Sequence, residues 1–275
     1  MSKKIIILVA VVSAIVAAAA IAWIRLYSDG RGERTQLVLY CGAGIRPGVA
    51  ALIEAFGAKS NVRIIPTYEG SGQSLGKITA GSGGDLFMPG AEFFVDKAIE
   101  KGLASKESKR IVAYFVPVLL VQKDNPKGIH SLKDLTRNGI RVGLGDERSA
   151  AVGQVTLEIL RKNAISYDDV AKNVVYKSGT GDELGVAVQM GTVDVVVLWD
   201  VNARYFLRHG QIVPIPPRQN VPSAIPIAIL KSTRHEKEAN EFVQFTVSPE
   251  GRRIMEEKGF TVDLRAATTQ QAQGD

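Results

Sequence analysis

From Gln36 onward the chain alternates short β-branched runs with amphipathic helical stretches, and this alternation restricts the fold more than any other feature. Strands separated by helices pair in parallel, and the helices cover the sheet. The first unit is explicit. Gln36 to Tyr40 is a buried strand, Gly42-Ala43-Gly44 a turn and Pro47 a helix start, after which Val49, Leu52, Ile53 and Phe56 recur at i, i+3, i+4 and i+7. Further strands are predicted at Val62 to Thr67, Leu86 to Met88, Ile140 to Leu144, Val174 to Tyr176, Val193 to Leu198 and Ile225 to Leu230. Ser131-Leu132-Lys133-Asp134 reads as a helix start of capping-box type, with Asp in place of the usual Glu or Gln. His235 to Lys258 carries two helical patterns that separate near Ser248-Pro249.

Two extended, proline-containing runs interrupt the alternation. Ile111 to Val121 is broken by Pro117, and the stretch holding Pro214, Pro216, Pro217, Pro222 and Pro226 is unsuited to helix or central sheet. Read as two crossings, they divide the chain into an outer pair of segments, 36–116 and 219–264, forming one lobe, and an inserted second lobe, 117–218. The expected fold class is α/β, two-lobed, with a cleft between lobes as the favoured ligand site.

The amino-terminal end is of a different kind. Ile5 to Ile24 contains no charge and would span about 30 Å as a helix, enough for a bilayer. Its length favours a retained anchor, while Ala20-Ile21-Ala22 offers a small-x-small cleavage site, so residues 1–26 read as a signal peptide or a membrane anchor. Either reading exports the rest of the chain. Residues 27–35 form a polar linker, and residues 265–275 a flexible polar tail. Cys41 lies inside a strand-like segment beyond the apolar run, so it is not a lipidation site.

Composition removes several functions. With 45% hydrophobic and 23% charged residues, the chain is globular. One cysteine and three histidines cannot build a thiolate zinc site or a disulfide framework. The formal charge of +6 drops to 6 − 2 = +4 without Lys3 and Lys4, and no basic block is present to hold nucleic acid. His130, His209 and His235 do not converge on a Ser or Asp motif, and Asp85 and Asp200 sit where capping is the simpler role.

Three loops of small residues follow strands and precede helices: Gly42-Ala43-Gly44, Gly70-Ser71-Gly72, and Gly145 to Gly153 around Ala150-Ala151-Val152. Small side chains leave backbone N–H groups open, and free N–H groups at a helix N-terminus form an anion site. Tight turns alone would account for any one such loop; three in one two-lobed chain point to binding. A third glycine for the dinucleotide pattern is missing, and no P-loop is present, so ATP and NAD are poor candidates.

Tyr40-Cys41-Gly42-Ala43-Gly44-Ile45, Gly70-Ser71-Gly72 with Leu75 to Gly81, and Gly84-Asp85-Leu86-Phe87-Met88 resemble the molybdate/tungstate-binding proteins of ABC importers, a branch of the type 2 periplasmic binding fold. The likeness runs from about Gln36 to Val262, with Gly145-Asp146, Val152-Gly153 and Val197 to Ala203 where that family has later ligand segments. Order and spacing carry it, since each motif is short. The resemblance implies ligand-binding roles for Gly44, Ile45, Ser71, Gly72, Val152, Glu183 and Trp199. Ser71 matches a hydroxyl ligand. Gly44 replaces another and leaves only its backbone, Val152 and Glu183 would supply N–H groups, and Trp199 replaces a tyrosine. The Glu183 side chain is expected to point outward, because an inward carboxylate would repel a dianion. The two carboxylates that the family's archaeal branch places on the metal fall on Ala150 or Ala151 and on Leu198, so no side chain would touch the metal directly.

The resemblance implies an extracytoplasmic, monomeric solute-binding protein that holds molybdate or tungstate by hydrogen bonds and hands it to an ABC permease, with no cofactor and no catalysis. Two alternatives stand beside it. One is an enzyme on the same fold using Cys41, as in hydroxymethylbilane synthase; the other is a membrane-tethered oxyanion sensor.

Overall fold

The structure is a computed structural model that describes residues 16–20, 22–23 and 34–264. Among these residues two five-stranded sheets form. The first contains β1 (Thr35–Gly42), β2 (Val62–Glu69), β3 (Leu86–Met88), β4 (Arg110–Phe115) and β10 (Ser223–Ile229), in the order β2-β1-β3-β10-β4. The second contains β5 (Pro117–Gln122), β6 (Val142–Gly145), β7 (Val174–Ser178), β8 (Val195–Trp199) and β9 (Gly210–Pro214), in the order β7-β6-β8-β5-β9. Helices α1 (Arg46–Gly57), α2 (Ser71–Thr79), α3 (Glu92–Glu100), α8 (Glu236–Val247) and α9 (Pro249–Glu257) belong to the first lobe. The second holds α4 (Ala151–Lys162), α5 (Tyr167–Ala171), α6 (Gly181–Gln189) and α7 (Asp200–Ala203). Each lobe has its own core, with Leu37, Leu39, Leu86 and Phe242 sealed in one and Leu119, Leu120, Val195 and Leu198 in the other.

The βα units pair in parallel as the alternation requires: β1 with β2 and β3, and β6 with β7 and β8. The sheets are nevertheless mixed. Strands β5 and β10, the first after each crossing, run antiparallel to their neighbours, because a chain entering a lobe from the other one arrives from the cleft side. The second proline run also corrects the sequence expectation. Pro226 lies inside β10, between β3 and β4, and the ladder to β4 shifts register between Ile225 and Pro226. A bulge there accommodates the missing N–H, so proline is tolerated within an interior strand. Ser131 starts only a 3₁₀ turn, Leu132–Thr136, since Arg137 already returns to extended backbone.

The crossings are tied to each other and to the second lobe. Val116, between β4 and β5, donates its N–H to Asp200 Oδ1 (3.2 Å) and accepts from the Asp200 N–H (2.8 Å). The buried Asn220 donates from Nδ2 to Pro117 O (2.8 Å) and Ile215 O (3.4 Å), linking one crossing to the other. No helix among the described residues is long and apolar enough to cross a membrane. The signal or anchor reading of residues 1–26 rests on a segment of which only 16–20 and 22–23 are described. Most of the 27–35 linker and the 265–275 tail also lie outside the described residues.

Candidate functional site

Four helices of at least nine residues begin at one small cavity between the lobes. From the first lobe come α1, preceded by a 3₁₀ turn over Ala43–Ile45, and α2; from the second come α4 and α6. Their first N–H groups have no partner within the helix, and the macrodipoles add positive potential at the same point. Residues at these ends are small: Gly42, Ala43 and Gly44; Gly70 and Ser71; Ala150 and Ala151; Gly179, Thr180 and Gly181 all line the cavity. The first turns of α1, α2 and α4 carry no acidic residue.

Of the residues implied by sequence, Gly44, Ile45, Ser71, Val152 and Trp199 line this cavity. Ser71 is buried, and its Oγ accepts the Gly90 N–H at 3.1 Å, which leaves the single hydroxyl proton to be donated elsewhere. Trp199 precedes α7 and stacks on Phe115 of the opposite lobe, centroid to centroid 4.5 Å with planes 5° apart. Gly72 and Glu183 lie outside the cavity wall. The Gly72 N–H is spent on Ser149 O across the cleft, at 2.9 Å. Glu183 is exposed, and its carboxylate accepts from the Ser178 hydroxyl. The α6 helix begins two residues earlier, so Thr180 and Gly181 form the wall where Glu183 was expected.

Glu69 is the one ionisable lining residue, and its carboxylate is already occupied: Oε1 accepts from Ser74 Oγ (2.9 Å), and Oε2 pairs with Lys77 Nζ (2.5 Å). Arg46 stacks over Tyr68 with its guanidinium 4.7 Å from the ring centroid. Gly90 and Phe115 were not foreseen. Both reach the cavity only because β3 ends beside β1 and β4 ends at the crossing between lobes, a placement that local sequence does not carry.

The catalytic alternative fails on geometry. Cys41 is fully buried, with Sγ facing Gly42 O at 3.5 Å. Burial pushes its thiol far above the usual range, and the nearby Arg46 offsets only part of that. A buried neutral thiol is neither nucleophile nor attachment point. Asp85 accepts from the Val38 N–H (2.7 Å) and the Thr233 hydroxyl (2.6 Å), a role in holding strands together. No group of His, Cys, Asp and Glu suited to a metal ion occurs among the described residues.

Two lobes, two crossings and a cleft walled by helix N-termini define the class of two-lobed binding proteins. Residues 37–261 match the family described as Bacterial extracellular solute-binding protein, and the chain belongs to it. A Haemophilus influenzae binding protein whose name specifies no solute is 28% identical over 228 residues, covering 83% of this chain and 91% of its own. The molybdate-binding protein ModA of Mycobacterium tuberculosis is 25% identical over 231 residues, covering 84% of this chain and 85% of its own. Among solved structures, the sulfate-binding protein SubI of Mycobacterium tuberculosis superposes with a TM-score of 0.77 at 24% identity, covering 87% of this chain and 91% of that one.

Proposed function

We propose that this chain is the extracytoplasmic solute-binding component of an ABC importer and that it closes on one tetrahedral oxyanion of the molybdate and tungstate kind. The observation that carries this reading is the convergence of four helix N-termini on a cavity that holds no free carboxylate. The cavity offers about 20 Å³ to the centres of oxygen-sized atoms, equivalent to a sphere of radius about 1.7 Å. That is the scale of the distance from the centre of a tetrahedral oxyanion to its oxygens. A cavity of that size favours a single small ion over a sugar, a cofactor or a peptide.

The donors supply enough energy. Hydrogen bonds to a charged group contribute about 1.5–3 kcal/mol each, and five at the upper end of that range reach the roughly 8–12 kcal/mol of micromolar to nanomolar binding after a modest cost of association. Donors are Ser71, the Trp199 indole and backbone N–H groups at Gly44, Ala151, Val152 and Gly181. Because helix ends present N–H donors and the one lining carboxylate is already paired, the wall favours a fully ionised oxyanion over a protonated one. Molybdate over sulfate rests on the motif likeness and on the relative named for molybdate; a cage of fixed size discriminates between ions of different radius.

Residues 36–116 with 219–264, and 117–218, are the two bodies that would close on the ion. Residues 1–26 would export the protein and, if retained, tether it to the membrane beside its permease. Calorimetric titration with molybdate, tungstate, sulfate and phosphate tests the assignment. Binding of molybdate and tungstate is expected. A response to sulfate or phosphate alone changes the ligand, and silence with all four removes the function. A reconstituted permease should hydrolyse ATP faster with the loaded protein, which a sensor without transport would not cause.

A further inference from the structure

We propose that Asn202 is a positioning residue of the anion site and forms a matched pair with Gly44 across the cleft, an inference that rests on the oxyanion reading above. Asn202 lies three residues beyond Trp199, and its side chain is 2% exposed. From Nδ2 it donates to Gly44 O of the opposite lobe at 3.2 Å and to Asp182 Oδ1 of its own lobe at 3.3 Å. Its Oδ1 is, among the described residues, the buried side-chain polar atom without a hydrogen-bond partner. Turning the amide over would not help. The oxygen would then face the Gly44 carbonyl and the Asp182 carboxylate, three acceptors together, so the orphan is fixed by the partners of Nδ2.

The orphan oxygen fills a particular space. A Cβ built on Gly44 would lie 2.9 Å from Asn202 Oδ1 and 3.3 Å from Trp199 Cδ1. The amide therefore occupies the volume that a side chain at position 44 would need. Glycine at 44 and asparagine at 202 depend on one another: the first admits the amide, and the second holds the first-lobe loop, with its N–H groups, against the second lobe. On the far side of the cavity the lobes are joined by the bond from Gly72 N–H to Ser149 O. The Asn202 bond is the side-chain counterpart of that backbone bond, so it is open to substitution.

The test is a double-mutant cycle on the full-length protein, with molybdate binding measured by calorimetry and dissociation by stopped flow. Asn202→Ala is expected to weaken binding about tenfold through faster dissociation, as loss of one interlobe hydrogen bond requires, with the association rate unchanged and the ligand-free melting temperature lowered by less than that loss of affinity, since only the bond to Asp182 is lost within the lobe. Gly44→Ala alone should weaken binding by at least as much. The double variant should bind no worse than Asn202→Ala alone, because removing the amide makes room for the new methyl group. Additive losses, or an Asn202→Ala protein with wild-type affinity, would overturn the pair while leaving the anion site standing. A fall in ligand-free melting temperature matching the loss of affinity would also overturn it, since that marks a structural role in the open form. No binding of molybdate, tungstate, sulfate or phosphate by the wild-type protein would overturn the oxyanion reading and the pair together.

Discussion

Replacing Ser71 by alanine separates the structural role of its hydroxyl from the ligand-binding role proposed for it. Its oxygen accepts the Gly90 N–H at 3.1 Å, and its proton is free for the cavity. Losing the proton removes one charge-assisted bond to the ion, about 1.5–3 kcal/mol, which is about 10- to 150-fold in affinity. Losing the oxygen leaves the Gly90 N–H without its partner, about 1–3 kcal/mol in the free and loaded protein alike. At roughly 2–4 °C per kcal/mol for a chain of this size, the ligand-free melting temperature should fall by about 2–12 °C. Ser223→Ala is the control. Ser223 donates to Gly90 O at 2.9 Å, is buried, and does not line the cavity, so it should lower the melting temperature and leave affinity intact. Calorimetric titration and scanning calorimetry on both variants decide the matter. If Ser71→Ala loses stability but keeps wild-type affinity, the hydroxyl is structural only and the donor assignment is wrong.

Two further expectations concern closure and acid. A Cβ on Gly72 would sit 1.9 Å from Arg148 O and 2.8 Å from Ser149 Cα, both in the opposite lobe, so Gly72→Ala should abolish high-affinity binding. Gly72 lies in the first turn of α2, where alanine is up to about 1 kcal/mol better than glycine, so the ligand-free protein should be as stable as wild type or more so; a loss of stability would refute the assignment to closure. Asp194 is buried, which pushes its carboxyl up. The Arg141 guanidinium (2.6 Å), the Arg141 N–H (2.8 Å) and the charge of Lys127 outweigh this, and the group titrates below its usual 3.8. A depressed folded-state pKa gives stability that is complete above 3.8 and is lost as pH falls through the lower folded value. Asp194→Asn should therefore destabilise the protein near neutral pH and flatten the acid limb of its stability curve, and an unchanged acid limb in chemical denaturation would contradict this.

Much of the fold was legible because its signals are local. Leu86 to Met88 is a strand in sequence and in structure, and Pro47 stands in the first turn of α1 with Val49, Leu52 and Phe56 buried behind it. Where local reading failed, a distant partner decided. The run from Ile111 to Val121 breaks at Val116 rather than at Pro117, because the Val116 backbone turns to Asp200, 84 residues away. Pro226 enters an interior strand because β4 bulges around it. In the site, the small-residue loops were readable as bare backbone, but which N–H groups remain free was not. Gly72 offers the same local chemistry as Ser71, and only the arrival of Ser149 from the other lobe removes its N–H from the cavity. Glu183 was displaced for a simpler reason: Thr180 caps α6, so position 183 falls on the outer turn.

On the proposed reading, the division of the helix N-termini between lobes explains how a wall with no free charge would hold a doubly charged ion. Each helix N-terminus presents about half a positive charge, so four of them sum to about two, the charge of a tetrahedral dianion. Two ends belong to each lobe. Without the ion, closure brings like-signed ends face to face, and neither lobe alone can neutralise a dianion. With the ion, the same ends attract a common centre, so affinity and closure become one equilibrium, and whatever obstructs approach of the lobes must weaken binding. The wall is built accordingly. A Cβ at Gly70 would meet Gly179 O at 2.6 Å and Ser149 O at 2.8 Å, one at Gly72 would meet Arg148 O, and one at Gly44 would meet Asn202 Oδ1, each across the cleft. Glycine at these positions serves the distance between lobes as much as the turn it occupies. The formal net charge of +6 adds only long-range attraction that salt screens, whereas the four dipole ends act inside the cavity, where screening is weak.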